Sequence, residues 1–119
     1  LLMVLLVIMN ASAWASDIDI IRNAVSTKFM ESSQGVVVSV AVNNDLIVIR
    51  ATPNSSNDKI LIIDVAVALN RIDAKIKKWS KVSIKCSKKD YFFNRKSFDL
   101  YRRGEINDRK FLSMVSLKG

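Results

Sequence analysis

The residues in this chain that can do chemistry are mostly cations. Lys75, Lys77, Lys78, Lys81, Lys85, Lys88, Lys89, Arg95 and Lys96 crowd one stretch, and Arg102 and Arg103 follow in the tail. Residues 59–119 hold sixteen bases against six acids, a net of +10. Residues 16–58 hold three bases (Arg22, Lys28, Arg50) against five acids, a net of −2. A basic half of that density attracts phosphates, anionic lipid head groups or an acidic protein surface. The blander alternative is a solvated face that keeps the chain soluble. Lysines after residue 74 also suit the negative carboxy-terminal end of a preceding helix.

Other chemistry is thin. The chain has no His and one Cys, Cys86. Those counts exclude a His-ligated zinc site, a Cys₄ cluster, a Ser-His-Asp triad and an internal disulfide. Asp17 with Asp19, and Asp58 with Asp64, lack the spacing of a metal loop or an acid/base pair. Gly35, Gly104 and Gly119 lie too far apart for a phosphate-cradling loop. No catalytic, cofactor-binding or metal-binding residue is nominated, so the expectation is a protein that binds rather than catalyses.

Tyr91, Phe92 and Phe93 lie between Lys88-Lys89 and Arg95-Lys96. That interleaving is one by which nucleic-acid bases stack on rings, but in a short strand two of three such rings face the core. Cys86 shares a strand face with Val82 and Ile84, which favours a buried, inert thiol over a bridge between chains. Trp79 reads as core. Asn54-Ser55-Ser56 matches a glycosylation sequon, meaningful only in a eukaryotic secretory pathway.

The elements that must carry these residues begin with a leader. Leu1 to Met9 are unbroken apolar side chains, followed by Ala13-Trp14-Ala15-Ser16. An apolar run of about 7–15 residues ending in a small-x-small site has the form of a secretory signal peptide. Cleavage is expected between Ala15 and Ser16, with a positive segment missing at the start. Residues 16–119 then form one domain, exported to the periplasm or secreted. A retained anchor and a core element are the competing readings of the leader.

Within 16–119, Ser16 to Asp19 have capping-box spacing, and Ile18, Ile21, Val25 and Phe29 form a helical stripe ending at Ser32-Ser33-Gln34-Gly35. Residues 36–42 and 46–52 read as a hairpin, turning on Asn43-Asn44 or Asn44-Asp45, with Val38 and Val40 on the face of Ile47 and Ile49. Leu61, Val65, Ala68, Ile72, Ile76 and Trp79 predict a long helix over 58–79. A second hairpin follows: Val82-Ile84-Cys86, a four-residue turn at 87–90, and a return strand at 91–93. Two short helices close the chain, the first starting at Asn94 or Ser97 and stopping at Gly104, the second starting at Asn107.

The order is α-β-β-α-β-β-α-α. It predicts an α+β fold, an antiparallel sheet of two hairpins with helices packed on one face. The leading function is a small basic exported accessory module that contacts an acidic protein, anionic polymer or lipid head group in the cell envelope. A secreted inhibitor acting through the 43–45 or 87–90 turn is the second reading. A nucleic-acid-binding domain is the third, and it requires that residues 1–15 are not a signal.

Overall fold

A computed structural model describes residues 2–54 and 57–118, with side chains from Asp17 onward. Among these residues the order is α1 (Leu2–Ser32), β1 (Gly35–Asn43), β2 (Leu46–Pro53), α2 (Asp58–Ile72), β3 (Lys81–Cys86), β4 (Lys89–Asn94), α3 (Arg95–Arg102), α4 (Asp108–Ser113) and β5 (Ser116–Lys118). The strands form one sheet in the order β1-β2-β3-β4-β5. The fold is α+β, as expected, but the sheet is mixed rather than antiparallel.

The correction lies at the join between the hairpins. β2 and β3 are neighbours and run parallel, with Ile47 opposite Val82 and Ile49 opposite Ile84. Their connection is α2, and a strand–helix–strand crossover returns the chain to the end where it started, which makes adjacent strands parallel. A second correction is β5, which pairs antiparallel with β4 and was missing from the expected order.

One face of the sheet is packed. Val40, Ile47, Ile49, Val82, Ile84, Cys86 and Phe93 point inward and are at most 6% exposed. Against them lie Ile21, Val25 and Phe29 of α1, Leu61, Val65, Ala68 and Leu69 of α2, Phe98 of α3 and Phe111 of α4. A buried aromatic or branched aliphatic side chain contributes about 1.5–3 kcal/mol, so this layer holds the fold. Aromatic rings fasten the tail to it. Trp79 meets Phe98 edge-on at 4.8 Å, Phe93 meets Phe111 at 5.2 Å, and Tyr101 stacks on Phe111 at 4.7 Å.

The first helix contains the expected stripe but not the expected start. α1 is helical from Leu2 to Ser32, so the helix does not begin at Ser16. Asp17 instead accepts the backbone N–H of Lys77 at 3.1 Å, tying this helix to the link before β3. The side chains of Ala15 and Ser16, where cleavage is expected, lie outside the described residues. Among the described residues no helix is long and apolar enough to cross a membrane. α1 ends at Ser33, whose φ of 57° turns the chain left-handed. There Ser32 Oγ donates to the buried carboxylate of Asp64, and Arg71 pairs with Glu31 at 2.8 Å, so α1 and α2 are locked together.

Gly35, opening β1, sits where a Cβ would come within 2.7 Å of Leu61 and 2.9 Å of the Thr52 carbonyl. Only glycine lets the strand approach that closely. The hairpin turns on Asn44-Asp45, with Asn44 at φ 58°. Val38 departs from expectation. The register shifts between Val37 and Ser39, leaving Val38 as a bulge that is 62% exposed instead of on the core face. An added residue moves one side of the strand out of phase, so Val37, not Val38, packs beside Val40.

The long stripe over 58–79 outlasts its helix. α2 stops at Ile72, and a single 3₁₀ turn, Asp73–Lys75, leads to an extended Ile76. Trp79 is still buried, at 3% exposure, but it reaches the core from a loop. Its Nε1 has no hydrogen-bond partner among the described residues. The second hairpin is also tighter than expected, since Cys86 pairs with Lys89 and leaves only Ser87-Lys88 in the turn. Ser87 has φ 55°. Asn94 caps α3 by accepting from Ser97, Asn107 caps α4 by accepting from Lys110, and Gly104 takes φ 75° between them.

Candidate anion-binding face

The buried side chains of all four helices pack on one side of the sheet, and among the described residues none of the helices contributes a buried side chain to the other side. Strand alternation decides what it shows. Arg50 on β2, Lys85 on β3, Asp90 on β4 and Lys118 on β5 stand directly opposite one another in a single cross-strand row. The adjacent row carries Val48, Ser83, Phe92 and Ser116, and Lys81 stands in the row beyond.

Asp90 is the one carboxylate in the charged row. It accepts Lys85 Nζ at 2.5 Å and Ser83 Oγ at 2.7 Å. Burial alone would raise its pKa, but those two hydrogen bonds and the charges of Lys85 and Lys118 outweigh it and hold it below the usual carboxylate range. Among the described residues Arg50, Lys88 and Lys118 form no ion pair, although Lys118 stands opposite Asp90 and its charge reaches it. Phe92 lies under two ammonium groups, Lys81 Nζ at 4.4 Å and Lys118 Nζ at 5.3 Å from the ring centre. Such cation–ring contacts hold flexible lysines in place at modest gain.

A shallow depression of about 320 Å³ lies at the β3–β4 turn end of this face. Five cations line it, Arg50, Lys85, Lys88, Lys89 and Lys118, against the one acid Asp90. Lys89 is divided in its loyalty, since its Nζ also lies 3.8 Å from Asp58.

The nine cations expected to form a patch do not form one. Lys85, Lys88 and Lys89 gather at the depression, and Lys81 shares the open face. Lys75, Lys77 and Lys78 precede β3, about 20 Å of strand from the Ser87-Lys88 turn. Lys96 is exposed on α3. Arg95 is committed elsewhere, to Asp73 and Asp99, with its guanidinium over Trp79 and Phe98. Arg50 and Lys118 join the site although the contiguous run of lysines omits them. The signal for Arg50 was its parity: it alternates with Ile47, Ile49 and Ala51 and so must face away from the core.

Of the three consecutive rings, Phe93 is buried, Tyr91 packs against the core and only Phe92 faces out. Tyr91 donates to Asp58 at 2.7 Å on the covered side. Burial, then that hydrogen bond and the Asp58 charge, push its phenol up to about 12. Cys86 is fully buried and free, its thiol pushed up to about 11 by burial and then by the charges of Asp58 and Asp90. A second hollow, about 660 Å³, opens where Val67 and Asn70 of α2 face the α3–α4 junction. Its Tyr101 hydroxyl already donates to Asp108 at 2.6 Å. No cluster of three His, Cys, Asp or Glu side chains among the described residues could hold a metal ion.

Neither the protein-family models, nor the curated proteins, nor the solved structures show a match to this chain. The functional reading therefore rests on its own geometry.

Proposed function

We propose that this protein is a non-catalytic binding module that uses the open face of its sheet to contact an acidic partner in the cell envelope. The observation that carries this reading is the uncovered charged row. On that face Arg50, Lys85 and Lys118 stand in one row with the single acid Asp90. Exposed charges of one sign on a common surface raise the local concentration of an opposite partner and speed its capture. The envelope address follows from the apolar Leu1–Met9 leader and its Ala13-Trp14-Ala15 motif.

The test is retention of the full chain on envelope fractions as salt rises. Because exposed charges are screened within about 8 Å at physiological ionic strength, binding is expected to fall steeply with salt. The R50Q/K85Q/K118Q variant is expected to bind on the order of tenfold more weakly, while K75Q/K78Q changes binding little. Retention indifferent to both salt and the triple variant refutes the reading.

A further inference from the structure

We propose that the depression at the Arg50–Lys85–Lys118 row is a site for a phosphate group. The inference rests on the open face being the anionic partner's site, and it names the chemistry of that partner.

Three observations support phosphate over a generic acid. Arg50 stands directly opposite Lys85 on the neighbouring strand. Like charges so placed repel; Asp90 answers Lys85, and Arg50 forms no ion pair among the described residues. The only carboxylate in the row, Asp90, is hydrogen-bonded by Lys85 and Ser83 and also lies in the field of Lys118, so a single acid faces Arg50, Lys85, Lys88 and Lys118. With Lys85 paired to Asp90 and Lys89 to Asp58, the surplus is three positive charges, Arg50, Lys88 and Lys118, around one concave volume of about 320 Å³. A carboxylate offers one charge and two oxygens in a plane. A phosphate monoester offers nearly two charges and three oxygens directed apart, which matches cations converging from β2, β3, β5 and the β3–β4 turn. The planar fork of Arg50 suits two of those oxygens at once, and the lysines act as point charges on the rest.

The phosphate could belong to a soluble phosphorylated compound or to a lipid head group, and the two sources are separable. The full chain, ¹⁵N-labelled, is titrated with inorganic phosphate. In parallel its binding to phosphatidylcholine vesicles with and without phosphatidic acid is measured, and poly-glutamate serves as a carboxylate polyanion. Inorganic phosphate is expected to shift the amides of Arg50, Lys85, Lys88 and Lys118 and to leave Lys75, Lys78 and Lys96 in place. R50K, which keeps the charge and loses the fork, is expected to weaken phosphate binding several-fold. Phosphate shifts without vesicle binding support the site with a soluble source. Vesicle binding that requires phosphatidic acid supports it with a lipid source. Binding of poly-glutamate alone overturns the phosphate assignment while leaving the acidic-partner reading standing. Silence toward all three probes overturns both, and shifts spread evenly over every lysine overturn the site.

Discussion

Arg95 meets Asp73 at two points, Nη1 donating to Oδ1 at 2.8 Å and Nη2 to Oδ2 at 2.5 Å, across 22 residues of chain. Its Nε also donates to Asp99, and the guanidinium lies 4.8 Å over Trp79. With both side chains under 20% exposed, this pair pins the end of α2 to the start of α3. Removing one partner of a shielded pair leaves the other charge uncompensated. R95M is therefore expected to lower stability by about 3 kcal/mol. R103M, at an ion pair with Glu105 that is more than half exposed, should cost less than about 1 kcal/mol. Urea unfolding of both variants checks this, and equal losses would refute it.

Stability should fall on the acid side through two carboxylates. Asp90 and Asp99 both sit below the ordinary range; for each, burial opposes the shift and is outweighed, for Asp90 by hydrogen bonds from Lys85 and Ser83 and the charges of Lys85 and Lys118, and for Asp99 by the hydrogen bonds and charges of Arg102 and Arg95. An unfolded Asp takes up its proton near pH about 3.9. Between that value and the lower folded values the unfolded chain binds more protons, so stability rises with pH there. Their contribution is complete above the unfolded value and disappears as pH drops through the folded ones. Urea midpoints measured from about pH 6 down to about pH 3 should decline. D99N should show a shallower decline, since the amide has no proton to take. An unchanged slope in D99N would count against the assignment.

Cys86 should be inert in the folded protein. With its thiol pushed up to about 11 and no exposed surface, only about one molecule in a thousand carries thiolate at pH 8. Ellman's reagent is expected to react slowly with native protein and at once in urea. Rapid native reaction, or a disulfide-linked dimer on a non-reducing gel, would contradict the burial. C86S is expected to cost about 1–2 kcal/mol, because a hydroxyl replaces the thiol in an apolar layer.

Periodicity located the packed layer well, and it located the turns within a residue or two. The stripe Ile21–Val25–Phe29 and the alternation Val82–Ile84–Cys86 reach the core as their spacing implies. The errors lie where no local pattern operates. The helix over 58–79 ends at Ile72, where Asp73 is held by Arg95 and Lys77 by Asp17, and neither partner is local. Val38 leaves its face because of a bulge, which local alternation cannot register. β5 has only Ser-Leu-Lys, too short for a pattern. The cationic site was half visible for the same reason. Lys85, Lys88 and Lys89 are neighbours in sequence, but Arg50 and Lys118 arrive only through strand register.

The bulge at Val38 has a consequence for how copies of the molecule meet. β1 borders solvent and exposes Val36 and Val38, the kind of margin on which another chain's strand could template itself into a fibril. The kink at Val38 breaks that straight ladder of free N–H and C=O groups. The opposite margin, β5, carries Lys118, a charge of the kind that discourages another strand from pairing there. Strand addition is thus blunted at the β1 border, which favours assembly through side-chain surfaces over pairing along that edge.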